Sequence, residues 1–146
     1  MFKSIVAGTN GSSSSRGAVA AAAALAREHD ATLHLVWAFR TSVDMAGAMP
    51  LGMSVASGSS DAELHADIEA ELGRLADELR RDKVTVQTYP CPQAAAAALL
   101  DVAAHQNADL IVVGNKGMKG PRRVLGSVPN TVAHEARCAV LIVPTV

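Results

Sequence analysis

Residues 110–129 have the sequence LIVVGNKGMKGPRRVLGSVP, in which a short apolar run is followed by a glycine-rich basic loop. The apolar run at 110–113 predicts a buried strand, and the pattern from Gly126 onward predicts a helix. Glycines let a backbone approach a ligand closely, and the free N–H groups at a helix start favour an anion. This order of elements predicts a phosphate site for a nucleotide, with a solvated basic surface loop as the alternative.

Strand and helix patterns alternate along the whole chain. Strands are predicted at 2–8, 31–39, 83–89, 110–113 and 139–143. Four helices are predicted, at 18–27, 60–79, 93–105 and 126–137. The second of them begins with a capping box at 60–63 and carries an apolar stripe that ends at 79. Pro90 is expected to break the third strand, and His34 to face outward from the second.

The alternation implies an α/β fold with a parallel sheet that is covered by helices on both faces. The turns GTNG and GNKG follow the first and fourth strands. Both can line one crevice only if those two strands are neighbours at the switch point of the sheet. We therefore expect a single-domain three-layer sandwich with a five-stranded parallel sheet of order 3-2-1-4-5.

Composition and charge exclude several classes of protein. The chain has 146 residues, 49% of them apolar, which suits one domain with a sizeable core. A formal net charge of −1 argues against general nucleic-acid binding. The sequence contains neither an apolar run of membrane-spanning length nor a leader pattern, and Cys91 and Cys138 lack metal-site spacing. We expect a cytoplasmic protein whose partners are neither nucleic acid nor membrane.

Residues 40–59 are rich in glycine, serine, methionine and alanine and have no strand or helix period. A long segment of this composition predicts a mobile loop. The alternative is a short ligand-covering or partner-facing helix, because methionines recur there at every fourth residue.

The sequence offers no recognisable catalytic or metal-binding motif. The five histidines are scattered without metal spacing, and the serine run at 12–15 lacks a nucleophile-elbow motif and is explained by helix capping. The Walker phosphate-loop motif is also absent. We therefore expect no metal ligands and no catalytic residues.

Two distant motifs resemble the signatures of the universal stress protein family. GTNGS at 8–12 is similar to the amino-terminal signature. VVGNKG at 112–117 and GSVPNTVAHEARCAVLIVP at 126–144 are similar to the carboxy-terminal signature, which includes the nucleotide motif G-x2-G-x9-G-[ST]. The resemblance covers essentially the whole chain. It implies a homodimer through the last strand and, in the nucleotide-binding branch, bound ATP or another adenine nucleotide, with cyclic AMP in some members and Mg²⁺ accompanying ATP.

The resemblance also implies a set of nucleotide-binding residues. Backbone N–H groups of Gly117, Gly126 and Ser127 would hold phosphates, Gly8 would allow close approach, and Leu33 would pack against the base. The complete set is Gly8, Thr9, Asn10, Leu33, Gly114, Asn115, Lys116, Gly117, Met118, Lys119, Gly120, Gly126, Ser127 and Val128.

Two departures from the family pattern bear on the ligand. Eight residues, rather than nine, separate Gly117 from Gly126, and Pro121 stiffens the shorter loop. Asn10 stands where the family usually has an aspartate, so the charge is lost and a donor is gained.

These observations lead to one expected function and two alternatives. We expect a stress-response regulatory protein that binds an adenine nucleotide, ATP foremost, after the first and fourth strands, with at most slow hydrolysis. The first alternative is a nucleotide-free dimeric interaction module that acts through protein partners. The second is an enzyme, such as a slow nucleotide hydrolase or an adenylyl-transfer relative.

Overall fold

The computed structural model describes residues 1–41, 60–116 and 127–144. Strands β1 to β5 span Ser4–Gly8, Thr32–Ala38, Thr85–Cys91, Leu110–Gly114 and Ala139–Val143. Helices α1 to α4 span Ser13–His29, Asp61–Arg81, Ala95–His105 and Val128–Glu135. The strands form one parallel sheet in the order β3-β2-β1-β4-β5. The predicted fold class and strand order are therefore confirmed, whereas the predicted loop at 40–59 lies almost wholly outside the described residues.

Each face of the sheet is covered by its own layer of helices. In the central strand β1, Ile5 and Ala7 pack into a core with α1 and α2, while Val6 packs into a core with α3 and α4. All three side chains are fully buried. A parallel strand that is buried on both faces requires apolar residues at successive positions, not only at alternate ones.

Side-chain caps set the starts of three of the helices. Ser12 caps α1 by accepting a hydrogen bond from the Ser15 N–H, so α1 begins five residues earlier than the predicted Ala18. Ser60 and Glu63 form the predicted capping box at the start of α2. Ser127 caps α4. Each cap satisfies an N–H group that has no partner within its helix.

The prediction that Pro90 breaks the third strand is wrong. Strand β3 continues to Cys91, and Pro90 pairs with Trp37 of β2. Because β3 lies at an edge of the sheet, a residue there can lack an N–H group without losing a bond between strands.

The prediction that His34 faces outward is also wrong. His34 is only 4% exposed, and its Nδ1 lies 2.9 Å from the hydroxyl oxygen of Tyr89. The strand does alternate, but helices cover both faces of the sheet, so the alternate positions are not exposed to solvent.

The burial of His34 predicts a pH-dependent stability. Burial lowers the pKa of His34 below its ordinary value of 6.5. As the pH falls below about 6.5, His34 becomes protonated in the unfolded chain but stays neutral in the folded protein. The free energy of unfolding therefore decreases until the pH reaches the lower pKa that His34 has in the folded protein. We expect urea denaturation to show a fall in the free energy of unfolding from pH 7.5 to pH 5, and His34→Gln to reduce that fall.

The control for this test is His105→Gln, because His105 is exposed at the end of α3. This variant should retain the full fall in stability. An equally steep fall in His34→Gln and in the unmodified protein would contradict the assignment to His34.

Candidate functional site

A cavity of about 160 Å³ opens at the carboxyl ends of β1, β2 and β4. The chain leaves β1 toward β2 on one side and β4 toward β5 on the other. The cavity therefore lies at the switch point of the sheet, which is where open α/β folds bind ligands. The strand residues that line it are Gly8, Val36, Ala38, Val113 and Gly114.

Three helices begin at this cavity. Ser14 and Ser15 of α1, Ala95 of α3, and Val128 and Pro129 of α4 all line it. The first turn of a helix presents N–H groups without helical acceptors and carries a partial positive charge. Three such ends at one cavity make it suited to an anionic group.

The charges around the cavity reinforce this preference. No acidic residue lies in the first turn of α1, α3 or α4. By contrast α2, which lines no part of this cavity, has Asp61 and Glu63 in its first turn. Among the described lining residues the charged side chain is Lys116. Because none of these described lining residues carries a carboxylate, none of them offsets the positive potential of the three helix starts.

The caps differ among these three helix starts. Ser12 and Ser127 cap α1 and α4 through their hydroxyl oxygens, whereas Ala94 makes no side-chain cap hydrogen bond at α3. Ser127 is 6% exposed, and its Oγ accepts from the Asn130 N–H at 3.3 Å. This bond leaves the Ser127 hydroxyl hydrogen available for donation.

Glycines at the end of β1 and in the turn that follows it allow close packing, and the constraint is strict at Gly11. Gly11 has a φ of +75°, and a Cβ there would lie 2.7 Å from Cη2 of Trp37. A Cβ at Gly8 would lie 3.3 Å from Cδ2 of Leu99. The two glycines therefore let the turn lie against Trp37 of β2 and let β1 lie close to α3.

The structure brings together many of the residues that the sequence implied. Those that line the cavity are Gly8, Thr9, Asn10, Gly114, Lys116 and Val128. Ser127 instead caps α4. The Asn115 N–H donates to the carbonyl oxygen of Val143 at 3.0 Å. Gly117, Met118, Lys119, Gly120 and Gly126 lie outside the described residues.

Leu33 does not line the cavity. Its side chain is fully buried in the core beside α1 and α2, whereas Val36 lies on the opposite face of β2, toward α3. Leu33 pairs with Ile5, three residues before the carboxyl end of β1 at Gly8. The structure thus places Leu33 on the wrong face and too early in the strand to contact a ligand in this cavity.

Other lining residues were not singled out from the sequence. They are Ser14, Ser15, Val36, Ala38, Ala95, Leu99, Val113 and Pro129. Val36 and Ala38 could have been predicted only from the register between β1 and β2. Gly8 pairs with Val36, and this pairing brings the carboxyl end of β2 to the cavity.

The described residues contain no cluster of three histidine, cysteine or acidic side chains that could hold a metal ion. Their helices include none that is long and apolar enough to cross a membrane. Both cysteines are free. Burial raises the pKa of the Cys91 thiol and Asp101 raises it further, which disfavours the reactive thiolate.

Comparisons with known proteins agree with this architecture. The sequence model of the Universal stress protein family matches residues 1–144. A universal stress protein of Thermus aquaticus is 33% identical over 144 residues, which cover 98% of this chain and 99% of that protein. A universal stress protein of Mycobacterium tuberculosis is 33% identical over 149 residues, covering 99% and 97% of the two chains.

A solved structure of a universal stress protein also resembles this chain over nearly its whole length. The crystal structure of a universal stress protein in complex with cAMP is similar to this chain with a TM-score of 0.76 and 31% identity, covering 99% of this chain and 98% of that one. The fold and the cavity define an α/β protein with an anion-favouring site at the switch point of a parallel sheet. The chain belongs to the universal stress protein family.

Proposed function

We propose that this protein is a stress-response regulator that binds an adenine nucleotide, ATP foremost, in the cavity at the carboxyl ends of β1 and β4. The observation that carries the proposal is the meeting of three helix starts, all without first-turn acids, at one cavity. The relative whose structure was solved with cAMP supports an adenine nucleotide as the ligand class.

The walls of the cavity match the two parts of a nucleotide. Val36, Ala38, Leu99 and Val113 provide an apolar surface, against which we place the base. Lys116 and the start of α4 provide positive charge, toward which we place the phosphates. Ligand sites commonly combine such apolar walls with a few polar groups.

We further propose binding without efficient turnover. The described lining residues include neither a carboxylate nor a histidine, which supports the absence of a general base. Mg²⁺ would therefore enter with ATP, held by the phosphates and not by a carboxylate of these lining residues.

Calorimetric titration of nucleotide-stripped protein with ATP, and then with cyclic AMP in the same buffer, tests the proposed function. Saturable binding of one nucleotide per chain is expected, and the relative affinities would rank the two ligands. The absence of heat with either nucleotide, from protein that is folded by circular dichroism, would contradict the proposal. It would favour the nucleotide-free interaction module that acts through protein partners.

We propose that the protein forms a homodimer through β5. This strand lies at the edge of the sheet, and Leu141 at its centre is 38% exposed. An apolar edge strand with unpaired backbone groups is a template for pairing with a second chain. That the protein is cytoplasmic also stays a prediction.

Leu141→Lys is expected to convert the dimer to a monomer, because it places a charge in the proposed interface. Sedimentation equilibrium at micromolar concentration measures the mass. Ala104→Lys, which adds the same charge at an exposed position of α3, should leave the dimer intact. An unmodified protein that sediments as a monomer would refute the proposed dimer.

A further inference from the structure

Trp37 lies directly behind the wall of the cavity at the carboxyl ends of β1 and β4. Its neighbours in β2, Val36 and Ala38, line that cavity, and Trp37 is not among the described residues that do. Successive residues of a strand point to opposite faces, and Trp37 packs on the other face of the sheet, against the core beside α1 and α2. It therefore joins two lining residues without facing the cavity itself.

The indole ring of Trp37 lies against Gly11 in the turn between β1 and α1. A Cβ added at Gly11 would lie 2.7 Å from Cη2, 3.3 Å from Cζ3 and 3.5 Å from Cζ2 of Trp37. These three atoms form the outer edge of the six-membered ring. The backbone of the turn at Gly11 thus lies close against that edge, with no room for a side chain between them.

One hydrogen bond accompanies this contact between the turn and β2. The Thr9 N–H donates to the carbonyl oxygen of Val36 at 2.9 Å. The other described hydrogen bonds of residues 9–11 stay within residues 9–15. Two consecutive residues of β2 therefore hold the turn, Val36 through its carbonyl group and Trp37 through its ring.

A second cavity, of about 430 Å³, adjoins the same turn. Thr9, Gly11 and Trp37 line it, and the rest of its described lining comes from α1 and α2. Thr9 also lines the first cavity, so the turn stands between two cavities. Close packing fixes a segment in place only where neighbouring atoms fill the space beside it. The turn therefore depends strongly on the contact with Trp37.

We propose that Trp37 is a positioning residue for nucleotide binding, whose indole ring holds the turn between β1 and α1 in place at the edge of the first cavity. The proposal rests on the proposed function. Thr9 in the turn and Ser15 in the first turn of α1 both line that cavity. A shift of the turn changes the shape of this wall and the direction of the free N–H groups at the start of α1.

Trp37→Leu tests the proposal, because leucine keeps an apolar side chain in the core but lacks the ring edge beside Gly11. We expect ATP and cyclic AMP to bind about tenfold more weakly. Isothermal titration calorimetry of nucleotide-stripped protein measures the affinities, and circular dichroism checks the fold. Trp37→Phe keeps a shorter aromatic ring and should bind more tightly than Trp37→Leu. It takes the place of Trp37→Leu in each comparison if that variant does not fold.

Phe39→Leu is the matched control. Phe39 follows β2, belongs to the same core as Trp37 and is 9% exposed. Its ring packs against His65 of α2 with the ring centroids 5.6 Å apart, and Phe39 is not among the described residues that line the first cavity. This change from an aromatic side chain to leucine should lower the stability of the protein and leave both nucleotide affinities unchanged.

A double-mutant cycle with Gly11→Ala separates positioning from a general loss of stability. In the unmodified protein the added Cβ meets the indole ring and displaces the turn, so binding should weaken about tenfold or more. In Trp37→Leu the ring edge is gone, and Gly11→Ala should weaken binding clearly less. The strain of alanine at a positive φ is present in both backgrounds and cancels in this comparison.

The outcomes separate the two proposals. If the unmodified protein binds nucleotide and Trp37→Leu binds it equally well, the role of Trp37 is overturned and the proposed function stands. That role is also overturned if Phe39→Leu weakens binding as much, or if Gly11→Ala has the same effect on affinity in both backgrounds. If the unmodified protein binds no nucleotide, the proposed function fails and the role of Trp37 fails with it.

Discussion

Ala38→Phe is expected to weaken ATP and cyclic AMP binding by about a hundredfold or more while the protein remains folded. Ala38 is the last residue of β2, half-buried, and lines the cavity of about 160 Å³. A phenyl ring there would fill the space against Leu99 and Val113 in which we place the base. Isothermal titration calorimetry measures the affinities, and circular dichroism checks the fold.

The matched control is Ala104→Phe. Ala104 is exposed on α3 and lines a separate cavity of about 620 Å³, together with residues of α4 and β4. The same gain in volume at that position should not change nucleotide affinity. Equal affinities for Ala38→Phe and the unmodified protein would show that the nucleotide binds elsewhere.

Leu72→Ala is expected to lower the free energy of unfolding by about 2 to 5 kcal/mol, because it removes buried methyl groups and leaves a void. Leu72 is fully buried in the core beneath α2. Domains of ordinary size have a total stability of about 5 to 15 kcal/mol, so this single change would remove a large share. Urea denaturation followed by circular dichroism measures the loss.

Leu75→Ala provides the comparison within the same helix. Leu75 belongs to the same apolar stripe but is only partly buried, so less apolar surface returns to water and the smaller void is open to solvent. The loss of stability should be clearly smaller than for Leu72→Ala. Equal losses would contradict the burial that the structure assigns to these two leucines.

The strand order could be predicted because two local motifs constrained a global arrangement. GTNG and GNKG each follow a strand, and the requirement that both turns meet at one crevice made β1 and β4 neighbours. The helix α2 was similarly clear, since its capping box and its apolar stripe are both local patterns. Such features need no knowledge of how distant segments pack.

The errors arose where the environment of a residue depends on the whole sheet. Pro90 breaks a strand in the interior of a sheet but is accommodated at its edge, and only the strand order places β3 at the edge. His34 alternates with its neighbours, yet α3 covers the face on which it lies. Neither outcome follows from the residue and its immediate sequence.

The candidate site was predicted best where the chain itself turns toward the ligand. Thr9 and Asn10 follow β1 directly, and Gly8 and Gly114 end β1 and β4. The apolar wall was missed because Ala38 and Leu99 reach the cavity only through the register of β2 and the packing of α3. The position of Leu33 was hard to predict for a similar reason, because successive residues of β2 face two different cores.

Amide chemical shifts measured by NMR during a titration with ATP would show where the nucleotide binds. We expect the largest shift changes at 8–15, 95–97, 114–116 and 127–130, which surround the cavity at the carboxyl ends of β1 and β4. Shift changes concentrated instead at 100–108 and 135–138, around the cavity beside Ala104, would contradict it.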